Sequence, residues 1–233
     1  MPEPSSPESS GIYLGKTVSD FAPTPDLKNL QAALDRLVGL VGGLTLPDKE
    51  VRVLDLACGV CEEAFTISSW LSNLDAPLEP RRVEFRGYDI RDQDLVKARN
   101  RCEAAVKWFE QQKWSPPWLD FDFRKIDASK PLPEGLLATP QDVVFVRHQN
   151  TWHGAAIWTR IFENAFNAMT ENGYLIITSY FDKEHQQAME LIRGLGGRIL
   201  ATLENPRSRP MRTKDKSVDR HVAIFANRET TFG

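Results

Sequence analysis

The sequence has little cysteine, no excess of basic residues and no long apolar run. Its three cysteines, Cys58, Cys61 and Cys102, cannot all pair within one chain, so a disulfide framework using all of them is excluded. The 29 Lys and Arg stand against 32 Asp and Glu, so no overall basic field advertises a nucleic-acid partner. No apolar stretch approaches the roughly 18 to 20 residues of a membrane span. The start, Met1-Pro2-Glu3-Pro4-Ser5, is neither basic nor apolar enough for a secretory signal. From these absences we expect a cytoplasmic protein with no membrane partner. Its 233 residues, 41% hydrophobic and 26% charged, suit one α/β domain with a substantial core.

What is present is organised around residues 51–63. Val51 to Leu56 alternates as a short strand and carries Asp55 near its end; small residues Ala57 to Gly59 make a turn. Ala64, Phe65, Ile67, Trp70, Leu71 and Leu74 then recur at helical spacing. In an open parallel sheet, ligands bind beyond the carboxyl ends of such strands, where a turn of small residues lets them approach the backbone. The turn lacks the Gly-Lys-Ser/Thr ending of a phosphate loop, and only Gly59 of the three-glycine dinucleotide pattern is present. Cys58 and Cys61 form a C-x-x-C, but zinc would need a second ligand pair at suitable spacing and none follows, so no metal is expected. A thioredoxin-like role fits poorly, because Cys58 follows a strand rather than directly preceding a helix.

Residues 1–11, rich in proline and serine, read as a disordered tail, and 12–44 as an N-terminal cap or helical segment. Within it, Asp26 opens an amphipathic helix with Leu27, Leu30, Leu34, Leu37, Val38 and Val41 on one face, stopped by Gly42-Gly43. The main domain, 45–228, alternates strands and helices. A second strand at 83–88 ends in Asp89, a carboxylate placed to accept hydrogen bonds from ribose hydroxyls. A long helix, 91–113, follows, with its far end near Trp108 and Trp114 expected to project beyond the sheet. A third strand at 120–126 ends in Asp127-Ala128, and an apolar fourth strand at 142–147 exits through His148-Gln149-Asn150-Thr151-Trp152-His153, a dense polar and aromatic cluster. A helix over 155–170 is expected to end at Asn172-Gly173, before a fifth strand at 174–179. A helix over 182–195 and strands at 198–203 and 220–226 complete the chain. Residues 205–216 hold five basic side chains, which either meet an anionic substrate or form a solvated loop.

Asp55-Leu56-Ala57-Cys58-Gly59-Val60-Cys61 resembles motif I of the class I S-adenosylmethionine-dependent methyltransferases, with Ala57 and Cys61 departing from it; Cys61 stands where glycine is usual. Gly87-Tyr88-Asp89-Ile90 is similar to their motif II, and Asp127-Ala128 to their adenine contact. The resemblance implies a doubly wound, mostly parallel seven-stranded sheet of order 3-2-1-4-5-7-6 with strand 7 antiparallel. It implies S-adenosyl-L-methionine as cofactor, held by Asp55, Ala57, Cys58, Gly59, Asp89, Ile90, Asp127, Ala128 and Arg147. The family's fourth motif falls on the exit after strand four, where His148 and His153 are the candidate bases; an amino-directed Asp/Asn-Pro-Pro-Tyr/Phe tetrapeptide is missing. The expected acceptor is a small molecule. The alternatives are RNA, met through 205–216, a binding domain without turnover, and a nicotinamide-dependent oxidoreductase, which the missing glycines oppose.

Overall fold

The computed structural model describes residues 23–228 apart from 76, 78, 112, 114, 115 and 117–119. The expected tail at 1–11, the stretch 12–22 and Trp114 lie outside the described residues. Helices α1 (Pro25–Val41), α2 (Ala64–Asn73), α3 (Asp92–Gln111), α4 (Glu134–Leu137), α5 (Ala155–Ala168) and α6 (Asp182–Gly194) alternate with strands. These are β1 (Glu50–Leu56), β2 (Arg82–Asp89), β3 (Asp120–Lys125), β4 (Gln141–Arg147), β5 (Met169–Ser179), β6 (Arg198–Glu204) and β7 (His221–Ala226). They form one seven-stranded sheet of order β3-β2-β1-β4-β5-β7-β6. Strands β1 to β5 pair in parallel, and β7 runs antiparallel to both β5 and β6, as the resemblance implies.

The burial of each strand explains its place. Val143 to Val146 of β4 and Leu175 to Ile177 of β5 are fully buried, as central strands covered on both faces must be. Strand β3, at the edge, keeps exposed residues at both ends. One core lies between the sheet and α1, α2 and α3; the other packs α5 and α6 on the opposite face. Helix α1 packs into the main core, with Leu30, Leu34 and Leu37 fully buried. Its N-cap is Thr24 rather than Asp26: the Thr24 hydroxyl accepts from the Leu27 N–H, and Pro25 occupies the first turn.

Two local expectations change. Helix α5 stops at Ala168, and Asn172-Gly173 lies inside β5, where the register against β4 jumps between Gln141 and Val143. The bulge accommodates a turn-prone pair that reads as a helix stop in sequence. At the far end of α3, Trp108 is buried against Phe109, their rings 4.9 Å apart and edge-on, with Phe65 beside them.

The strand order reverses between β1 and β4, so the crevice beyond their carboxyl ends is a switch point for ligand binding. Gly87 on β2 keeps this region compact. A Cβ there would lie 2.6 Å from the Phe123 ring and 3.0 Å from Cys58 Sγ, pushing on the β1 turn.

Candidate functional site

The turn after β1 takes an unusual path. Ala57, Gly59 and Cys61 have φ of 59°, 58° and 45°, so every second residue is left-handed. Glycine adopts this at no steric cost, whereas Ala57 and Cys61 each store about 1 kcal/mol of strain. The two departures from the glycine pattern thus keep the glycine backbone. The turn is tied down by Cys58 N–H on the Tyr88 carbonyl at 3.1 Å and Cys61 N–H on the Cys58 carbonyl at 2.9 Å.

Two cavities adjoin at this turn. One, of about 500 Å³, is lined by Ala57 to Glu63, Arg91, Arg147, His148, Tyr180 and residues of the α1 start and the 205–218 loop. The other, of about 270 Å³, is lined by Asp89, Ile90, Ile126, Asp127, Ala128, Asn150, Ile157, Trp158 and Ile161. Ala57, Arg91 and His148 line both. A larger hollow of about 680 Å³ opens at the other end of the sheet, among Gly42, Thr45, Asp75, Tyr174 and Arg198. It lies away from the switch point, so the paired cavities are the better candidate.

In the smaller cavity Asp89 is buried, and its pKa falls below the ordinary carboxylate value: burial opposes this, but hydrogen bonds from Arg91 and Gly59 outweigh it. Ile90 and Ile157 are exposed apolar walls, 59% and 54% accessible, and Ala128 is buried beside them. Asp127 is exposed, and one of its oxygens receives the Ser129 N–H and hydroxyl.

The larger cavity has a charged floor. Arg147, at the end of β4, donates through Nε and Nη2 to Asp219 at 3.0 and 2.7 Å, and through Nη1 to Glu63 at 3.0 Å. The resemblance implies a cofactor contact for Arg147, which lines this cavity while its guanidinium is engaged by these two carboxylates. Burial alone would lower its pKa, but Glu63 and Asp219 raise it well above the ordinary value. Asp219 also accepts from Thr178 Oγ1 at 2.8 Å and lies 2.8 Å from His148 Nε2. Burial would raise the Asp219 pKa, yet His148 and Arg147 hold it far below the ordinary range. His148 has φ of 60° and stacks on Tyr180 at 3.8 Å. Burial pushes its pKa down, and Asp219 only partly offsets this. The imidazole is therefore neutral at pH 7. Its Nε2 faces both Asp219 Oδ1 at 2.8 Å and the Asp219 backbone N–H, which donates to it at 3.3 Å.

Beneath the turn, Asp55, Cys61 and Glu63 bring donor atoms within 4.8 Å of one another, the group among the described residues that could hold a metal ion. Cys61 Sγ already lies 3.3 Å from Asp55 Oδ2, and Glu63 is engaged by Arg147. Burial, then Glu63 and Cys58, raise the Asp55 pKa, and burial and Cys58 raise that of Cys61. The Cys61 thiol thus keeps its proton, and the Asp55 carboxyl holds its proton to higher pH than usual. Cys58, Cys61 and Cys102 are free and buried.

Of the expected residues, Ala57, Cys58, Gly59, Asp89, Ile90, Asp127, Ala128, Arg147 and His148 line these cavities, whereas Asp55 is fully buried beneath the turn and lines neither. His153 is exposed on the short turn Thr151–His153 and also lines neither cavity. Trp152, 46% accessible, packs on Phe181 at 4.8 Å. The basic loop is tied to α1, with Arg209 bridging bidentately to Asp26 and the Arg207 carbonyl accepting from Asn29.

Sequence reasoning missed Glu63, Asp219 and a polar chain behind the β4 exit. Gln149 Nε2 donates to Ser179 Oγ at 2.8 Å, Ser179 meets His185 Nδ1 at 3.2 Å, and His185 Nε2 meets Thr202 Oγ1 at 2.8 Å. Thr202 in turn donates to the Val222 carbonyl at 3.3 Å. With Nε2–H on His185 every donor points one way. Burial, with His221 adding, lowers the His185 pKa to about 4. The unfolded imidazole titrates near 6.5, so between 6.5 and 4 the unfolded state binds more protons and stability falls as pH falls. Glu184, raised to about 6 by burial, acts in the opposite sense. Denaturant unfolding should therefore show wild type losing about 2 to 3 kcal/mol more from pH 7 to 4.5 than His185→Gln. Parallel profiles would contradict the neutral assignment.

No family model matches the chain, and no curated protein matches it by sequence. Solved structures do match in fold. The N-methyltransferase NodS of Bradyrhizobium japonicum is 12% identical with a TM-score of 0.53, over 88% of this chain and 97% of that one. An S-adenosylmethionine-dependent methyltransferase of Clostridium acetobutylicum is 11% identical with a TM-score of 0.54, over 86% and 91%. Precorrin 8w decarboxylase of Methanobacterium thermoautotrophicum is 15% identical with a TM-score of 0.51, over 88% and 91%. At such identities the likeness concerns architecture, and a decarboxylase among the matches shows that the reaction does not follow from it. Sheet order, the antiparallel last strand and these matches together establish that the chain has the fold of the class I S-adenosylmethionine-dependent methyltransferases.

Proposed function

We propose that the protein is an S-adenosylmethionine-dependent methyltransferase acting on a small molecule. The observation that carries this reading is the buried Asp89 carboxylate at the switch point, in a cavity with apolar walls and beside a backbone turn fit for close approach. The residues fit the group. Asp89 would accept the ribose hydroxyls, Ile90, Ile157 and Ile161 would flank the purine, and Ala128 and Asp127 would meet its edge. Ala57 to Gly59 would border the remainder of the cofactor, which supplies an electrophilic methyl group when bound.

The chain's own contribution is then to orient the acceptor and to take its proton where it carries one. His148 suits the role of proton acceptor because it is neutral, it lines both cavities, and its contacts with Asp219 hold the ring in place. The acidic pI near 5.9 and the engagement of Arg209 by Asp26 favour a small acceptor over nucleic acid. Incubation with S-adenosylmethionine and pools of small amines, phenols and carboxylates should release S-adenosylhomocysteine. His148→Gln should lower the rate by about a hundredfold or more while cofactor binding persists. Binding with no turnover across such a panel would instead favour a domain that binds without catalysis, a reading that the strained, non-glycine positions Ala57 and Cys61 also suit.

A further inference from the structure

Both oxygens of the Asp89 carboxylate are engaged within the chain. Oδ1 accepts from the Arg91 backbone N–H at 2.8 Å and from Arg91 Nε at 3.0 Å. Oδ2 accepts from the Gly59 N–H at 2.8 Å and from Arg91 Nη2 at 3.3 Å. The same Nη2 lies 2.9 Å from where a Cβ on Gly59 would stand, so the guanidinium lies across the β1 turn. The backbone donors are fixed parts of the fold. The side chain is not: Arg91 is 60% exposed, against 4% for Asp89. Its Nη1 already lies 3.2 Å from Asp94 Oδ2 in the first turn of α3, a second carboxylate within its reach whose other oxygen Lys97 meets at 3.2 Å.

We propose that Arg91 is an internal occupant of the ribose position, whose guanidinium must turn onto Asp94 before a nucleoside's hydroxyls can reach Asp89. This rests on the cofactor reading above. An arginine that contacts a ligand strengthens binding, whereas one that holds the ligand's partner competes with it and lowers apparent affinity by the fraction of molecules in which it is in place. The sign of the Arg91 effect therefore separates the two roles.

The test is calorimetric titration of S-adenosylmethionine and S-adenosylhomocysteine into wild type, Arg91→Ala, Asp94→Asn and the double variant, each checked for an unchanged circular dichroism spectrum. Arg91→Ala keeps the backbone N–H on Asp89 and should tighten binding about tenfold, equivalent to about 1.4 kcal/mol. Asp94→Asn removes the second carboxylate and should weaken binding severalfold, but should have no effect once Arg91 is alanine. Binding by Arg91→Ala where wild type shows none would support the proposal equally. Weaker or unchanged binding by Arg91→Ala, with wild type binding normally, overturns it and leaves the cofactor reading standing. Absence of binding in all four folded proteins overturns both.

Discussion

Asp219→Ala is expected to destabilise the protein by about 3 to 5 kcal/mol, because it leaves a buried guanidinium short of its bidentate partner. Arg147 is only 10% exposed and has two carboxylates; without Asp219 it keeps Glu63 alone. Thr178 and His148 lose their acceptor in the same step. At about 2 to 4 °C per kcal/mol for a chain of this size, the melting temperature should fall by roughly 10 °C. The effect should be present at pH 7 and persist on acidification past pH 4. The Asp219 pKa is depressed, so its stabilisation is in place above the unfolded value of 3.8 and is lost only as pH falls through the lower folded value. His148 offers a second readout. Its imidazole should fall further below the ordinary pKa in the variant, because Asp219 is the group that offsets burial, as followed by nitrogen chemical shifts. A loss below about 1 kcal/mol would mean that Arg147 finds water or another partner.

The second large effect concerns ligand binding. Under the proposed function, Asp89→Ala should lower affinity for S-adenosylmethionine about a hundredfold or more, since the carboxylate that would accept the ribose hydroxyls is gone and the Gly59 N–H loses its acceptor. The change should barely touch the fold's hydrophobic cores, which do not include Asp89. Preserved affinity in the variant would place the nucleoside elsewhere.

What the sequence reveals and what it hides divide along physical lines. Asp55, Asp89 and Asp127 are legible because each ends a run of apolar or alternating residues, and successive parallel strands deliver such ends to one edge of the sheet. The antiparallel last strand follows from the resemblance rather than from any pattern in residues 221–226. Asp219 is hidden because it belongs to the β6–β7 connection, and only the finished sheet brings it to Arg147. Glu63 reads as a helix-start residue, and nothing local predicts its pairing across the turn. The Asn172-Gly173 pair misleads because the turn chemistry that stops helices also serves a bulge inside a strand. Arg91 carries no signal at all, since its hold on Asp89 depends on a side-chain conformation and not on spacing. The left-handed φ of Cys61 is foreshadowed by its departure from a glycine position, which makes a mismatch to a motif as informative as a match.

The most direct test of nucleoside binding at this crevice is calorimetric titration of the full chain, wild type and Arg91→Ala, with S-adenosylmethionine, S-adenosylhomocysteine and NADH, with Asp89→Ala as control. One-to-one binding of the two sulfur compounds in the micromolar range, lost in the control and missing for NADH, is the expected result. A folded protein that binds neither sulfur compound in either form, or that binds NADH instead, would contradict the proposed function and leave the fold alone.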